Sequence, residues 1–177
     1  MNTDHNNAVR QAAAQYSSIR QFILALDLDF DRLQELRDLR DDVRMGEITS
    51  FGNELWLNTY PNEAKELASL EKIVDGYCWK CVDDVIETIE QDPLDVSVGY
   101  SGWYRPGEKP EADTYRILLC TGGPAVQITG RLDDNNEPDS ADLQWQDWGT
   151  PWSHYFGPEV DNEVLMRYVR YFYFGEA

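Results

Sequence analysis

Tyr115-Arg116-Ile117-Leu118-Leu119-Cys120, Thr121-Gly122-Gly123-Pro124 and Val126-Gln127-Ile128-Thr129 follow one another almost without interruption. Two runs rich in β-branched, aliphatic and aromatic residues, joined by a short Gly-Gly-Pro link, have the composition of a β-hairpin. Working outward, Val96-Ser97-Val98-Gly99-Tyr100 reads as a strand before it and Leu143-Gln144-Trp145 as one after it. The stretch Asp133 to Ser140 supplies a second hairpin link, so a four-stranded antiparallel meander is expected. Asp161 is placed to cap a last helix with Val164, Leu165, Tyr168, Val169 and Phe172 at helical spacing, ended by Gly175. That apolar face is expected to cover one side of the sheet.

Upstream of Asp92-Pro93 the pattern is helical. No Gly or Pro occurs from Met1 to Met45, and Val9, Ala12, Tyr16, Ile19, Ile23, Leu26, Phe30 and Leu33 recur in steps of three and four, a heptad-like seam. The alternation Leu26-Asp27-Leu28-Asp29-Phe30-Asp31, with Asp31 and Gln34 spaced as a capping box, divides this stretch into helices over about 5–26 and 31–44. Gly46, Gly52 and Pro61 around Leu55-Trp56-Leu57 predict a connection over 46–61, with a short extended piece. Helices over about 62–74 and 79–91 follow, separated by Asp75-Gly76 and stopped by Asp92-Pro93. The expected fold is α+β: a helical subdomain over 1–92, then the antiparallel sheet with its C-terminal helix over 93–177.

The 177 residues carry 15 Lys plus Arg against 33 Asp plus Glu, a net charge of −18 shared by both halves, with 42% hydrophobic residues. That apolar content is enough for a real core and excludes a disordered acidic tail. The charge repels nucleic acid and anionic membranes and attracts basic grooves. No apolar run has the length of a membrane span, the start lacks a signal-peptide pattern, and three cysteines do not make a disulfide framework. A soluble protein of the cytoplasm is expected.

Four stretches bear motifs of their own. Ser101-Gly102-Trp103-Tyr104, the run Leu118-Leu119-Cys120-Thr121-Gly122-Gly123-Pro124-Ala125-Val126, Gln146-Asp147-Trp148-Gly149-Thr150-Pro151-Trp152 and the closing Phe172-Tyr173-Phe174-Gly175 resemble a family of small acidic proteins encoded on phages, plasmids and conjugative elements. Ser18-Ile19-Arg20 and Phe30-Asp31-Arg32-Leu33 through Leu36-Arg37 extend the likeness more loosely. The family brings no established catalytic residues. What the resemblance implies is company with proteins that oppose host defences, restriction enzymes and CRISPR complexes among them, some by imitating nucleic acid.

The acids themselves point the same way. The helix over 31–44 puts Asp31, Glu35, Asp38 and Asp42 on one stripe, opposite Leu33, Leu36, Leu39 and Val43, with neighbours roughly 5–6 Å apart at Cβ. That is comparable with the spacing of charges along a nucleic-acid strand. Arg32, Arg37, Arg40 and Arg44 relieve part of the repulsion, but Asp38 and Asp42 have no basic residue three or four positions away. The helix over 79–91 carries Asp83, Asp84, Glu87, Glu90 and Asp92 with no Lys or Arg between Val82 and Asp92. Acids at its start suit the helix dipole, whereas Glu90 and Asp92 at its end oppose it. A solvated helix face and drift in an acidic chain are the plain alternatives.

Other constellations point less far. Cys78-Trp79-Lys80-Cys81 has the CxxC spacing of a redox pair, without the preceding strand of a βαβ unit. A zinc site would need two more ligands, for which Cys120, His5 and His154 are the soft candidates, and Cys81 is expected in the core. His154 near Asp147 and Ser153 follows no nucleophile motif, and Gly122-Gly123-Pro124 lacks the Lys and helix of a phosphate loop. Trp145, Trp148 and Trp152 with Trp103 and Tyr155 form either core or a stacking platform. No catalytic residue, metal or cofactor is assigned. The expected function is non-enzymatic: an anti-CRISPR or antirestriction protein whose nine carboxylates, Asp31 to Asp42 and Asp83 to Asp92, bind the basic groove of a host defence protein or ribonucleoprotein. Direct nucleic-acid or membrane binding is not expected. The alternative is an interaction module that dimerises through the N-terminal seam.

Overall fold

The computed structural model describes residues 3–44, 50–108 and 111–175. Among them are α1 (Thr3–Leu26), α2 (Phe30–Val43), α3 (Ser50–Thr59), α4 (Pro61–Ile73), α5 (Val82–Gln91) and α6 (Asn162–Val169). The strands are β1 (Asp95–Gly99), β2 (Thr114–Cys120), β3 (Ala125–Arg131), β4 (Asp142–Gln146) and β5 (Ser153–His154). The fold is α+β, with a helical N-terminal half. No helix among the described residues is long and apolar enough to cross a membrane. The chain packs as two compact units that do not follow chain order: Leu24–Val85 forms one, and Met1–Ile23 with Ile86–Ala177 the other. The Asp92-Pro93 break falls inside the second of these.

In the unit Leu24–Val85 the helix break near residue 28 is made by one aspartate. Asp29 has extended backbone, and its Oδ1 accepts from the Arg32 N–H at 2.9 Å, capping α2. Leu28 and Leu33, buried on either side of that cap, occupy the positions of a hydrophobic staple. The Asp31/Gln34 capping box is therefore not the one used: the cap lies two residues earlier, and Gln34 instead donates to Asp38. The expected connection over 46–61 is also corrected. Gly46 lies outside the described residues, but Ser50–Thr59 is helical, with Gly52 and Trp56 on its buried side. Pro61 sits at the first turn of α4, where its missing N–H has no partner to lose. The helix expected over 79–91 begins at Val82. α2 packs on α4, and α3 on both; Leu33, Leu36, Trp56, Ala64 and Leu67 are buried.

In the other unit the sheet has the order β1-β2-β3-β4-β5, antiparallel throughout. The four expected strands are present, and β5 is a fifth. It is two residues long and follows Pro151, too short to register as alternation. The pairings Ile117 with Ile128 and Ile128 with Leu143 put Tyr115, Ile117, Val126, Ile128, Leu143 and Trp145 on one buried face. α6 packs against β4 from this unit, and the Tyr115 ring meets Phe174 at 4.6 Å. Asp161 caps α6 by accepting from the Glu163 N–H at 2.9 Å, and its own N–H donates to the Tyr16 hydroxyl of α1 at 2.7 Å. α6 ends at Val169 rather than near Gly175, and Phe172 lies beyond it.

One position on β3 tolerates only glycine. Opposite Gly130 the Tyr115 ring crosses the strand so that its hydroxyl donates to the Ser140 carbonyl at 2.7 Å. A Cβ at 130 would run into that carbonyl and the Tyr115 ring. The strand residue least expected from composition thus locks the second hairpin to the first.

Candidate functional site

α2 separates its charges by face. Arg32 holds Glu66 of α4 through two bonds, 3.0 and 2.9 Å, and Arg40 and Arg37 both reach Glu71 Oε1, at 2.9 and 3.4 Å. The arginines placed to neutralise α2 are thereby turned toward α4. Asp31, Glu35, Asp38 and Asp42 remain exposed. Glu35 meets Arg32 at 3.3 Å and Asp38 accepts from Gln34 at 2.7 Å, whereas Asp31 and Asp42 form no ion pair among the described residues. The Arg32 guanidinium is held charged above its ordinary range by its bonds to Glu66 and Glu35, and Glu66 is held below the usual carboxylate range by Arg32.

α5 presents its acids less uniformly. Val85 and Ile89 are buried, and Asp83, Glu87 and Glu90 are exposed. Glu87 accepts from Gln91 at 3.0 Å. Asp84 is half-buried and reaches back to the Lys80 N–H at 2.6 Å, satisfying a backbone donor at the helix start. Asp92 is different in kind. Half-buried, it accepts from the fully buried Tyr168 hydroxyl at 2.6 Å, and burial pushes its carboxyl above the usual range. Of the nine acids, Asp92 serves the packing of α6, and Asp84 the start of α5.

Cys78 and Cys81 are both exposed, which corrects the expectation that Cys81 is core. The buried residue of that turn is Trp79, stacked on Tyr77 with ring centroids 4.0 Å apart. Among the described residues no cluster of three or more His, Cys, Asp and Glu is placed to hold a metal ion. The side chain of His5 lies outside the described residues. Trp145 is core, whereas Trp103, Trp148 and Trp152 stand exposed and Tyr155 is partly covered. The five aromatic side chains therefore do not share one environment. Gly123 belongs to the β2–β3 turn, and a Cβ there would run into the Trp148 indole, so the Gly-Gly-Pro turn seats an aromatic ring rather than a phosphate.

His154 has a partner that its neighbours in sequence do not reveal. The β4–β5 pairing sets its Nδ1 2.6 Å from Asp142, in place of Asp147 or Ser153. Asp142 also accepts from Gln144 at 2.7 Å, and Gln144 accepts from the buried Gln127 at 2.8 Å. This row across β3, β4 and β5 lies on the sheet face opposite the core. Its signal was the alternate polar positions Gln127 and Thr129, then Asp142, Gln144 and Gln146. No known protein family matches the chain, and neither a curated protein nor a solved structure matches it.

Proposed function

We propose that the protein is a non-enzymatic anti-defence protein of the kind carried by mobile elements, acting in the cytoplasm of a host cell. Its acidic surface occupies the basic groove in which a restriction or CRISPR nuclease holds nucleic acid. The observation that carries this reading is the sorting of charge on α2. Arg32, Arg37 and Arg40 engage Glu66 and Glu71, so the outward row Asp31, Glu35, Asp38, Asp42 keeps most of its charge. Asp83, Glu87 and Glu90 on α5 form a second exposed row, while Asp84 and Asp92 hold structure in place. Such a surface gives fast, salt-steep association with cationic grooves.

The module reading, with dimerisation through the N-terminal seam, has less support, because Ala8, Ala12, Tyr16, Ile19 and Ile23 are already buried in the folded chain. The test is co-elution of the tagged protein with purified restriction and CRISPR nucleases at low and high salt. Reversal of Asp38, Asp42, Asp83, Glu87 and Glu90 together, which leaves the structural Asp84 in place, is expected to abolish salt-sensitive retention while the circular dichroism spectrum is kept. Retention that is indifferent both to salt and to this reversal contradicts the reading.

A further inference from the structure

β1 is the outer strand of the sheet, paired with β2 on one side and with no strand on the other among the described residues. Outer strands ordinarily carry a guard against further pairing, such as a lysine, a proline or a bulge. Asp95–Gly99 has none of these, and its one charge, Asp95, is taken up by Arg116 of β2. Alternate residues along this strand and its flanks are apolar and open to solvent instead: Leu94 at 61%, Val96 at 38%, Val98 at 40% and Tyr100 at 50%. Val96 and Val98 sit opposite Ile117 and Tyr115, so they continue the core face of the sheet past its covered part.

We propose that β1 pairs with β1 of a second copy of this chain, antiparallel about a two-fold axis at Ser97, joining the two sheets into one. The sequence of the strand is self-complementary in that register. Val96 falls opposite Val98 of the second copy, Leu94 opposite Tyr100, and Ser97 opposite Ser97. Aliphatic and aliphatic–aromatic cross-strand pairs of this kind stabilise antiparallel pairing. The charge on the strand is compatible with the same occupant. Asp95, the one charged residue of the strand, falls opposite Gly99 rather than another Asp95, and is bridged by Arg116 on β2 at 3.2 Å. In a chain of net charge −18, this register keeps the two Asp95 carboxylates off one another, each with its own Arg116 beside it. A short strand pair buries less than the roughly 1,600 Å² of a standard interface, so the dimer forms in a concentration-dependent way.

Sedimentation equilibrium over about a hundredfold concentration range is expected to show the mass rising from one chain of 20.5 kDa toward two. The double variant Val96→Lys, Val98→Lys is expected to stay at one chain with an unchanged spectrum. Because that variant alters a strand, Ser97→Cys provides the independent reading. On mild oxidation it is expected to give a link between the two copies mapped by peptide mass to position 97 on both, distinct from links at Cys78, Cys81 or Cys120. A constant single-chain mass without the 97-to-97 link, or a dimer that persists in a folded lysine variant, overturns the proposal.

Discussion

Asp92 and Asp113 show two carboxylates of one acidic chain responding to pH in opposite directions. Burial raises Asp92, despite the Tyr168 bond that favours its ionised form. The stability linked to its protonation is therefore full below the unfolded pKa and lost as pH rises through the folded one. Asp113 is lowered, first by the Ser101 hydroxyl and then by the Ser101 N–H, so its contribution is present above the unfolded pKa and lost as pH falls through the folded one. Urea midpoints measured from acid to neutral pH are expected to shift in favour of Asp92→Asn relative to wild type as pH rises. The deficit of Asp113→Ala should instead be largest at neutral pH and vanish in acid. Parallel profiles contradict the assignment. Gly130→Ala should lose about 1–3 kcal/mol of stability from overpacking against a backbone carbonyl that cannot yield cheaply, read as a drop in melting temperature with Tyr115 displaced.

At the scale of elements, α2 and α4 are held by an apolar seam and a row of arginine–glutamate pairs over it. Leu36→Ala should cost about 2–5 kcal/mol because its site is fully enclosed. Glu71→Gln removes the negative charge shared by Arg37 and Arg40 while keeping an oxygen acceptor, and its effect on the urea midpoint should be clear in low salt and small in high salt. The elements legible in the sequence were those whose residues repeat: β2 and β3 through Ile117, Leu119, Val126 and Ile128, and α6 through Leu165, Tyr168 and Val169. Those that were missed depend on tertiary partners. Glycine and proline around Trp56 argued against α3, yet burial of Trp56 against its neighbours overrides their weak local preference. β5 exists because Ser153 and His154 complete a ladder begun by β4. The acid rows were legible as positions. The turning of Arg32, Arg37 and Arg40 toward α4 was not, since it depends on a contact more than thirty residues away.

At the scale of the whole molecule, the surplus of 18 negative charges is not evenly expressed. Part is tied to the local structure, at Asp29, Asp84, Asp92, Asp113 and Asp161, where each carboxylate takes a hydrogen bond from a backbone N–H or a buried hydroxyl. The remainder is exposed and weakly paired, above all on α2. The most direct measurement is competition between this protein and labelled DNA or guide-bound target for purified restriction and CRISPR nucleases. The account predicts displacement of nucleic acid from at least one nuclease, with an apparent affinity that falls steeply with salt. It also predicts loss of competition in a folded variant with Asp31, Glu35, Asp38 and Asp42 reversed to lysine. Competition by that variant equal to wild type, or no displacement from any nuclease at low salt, contradicts it.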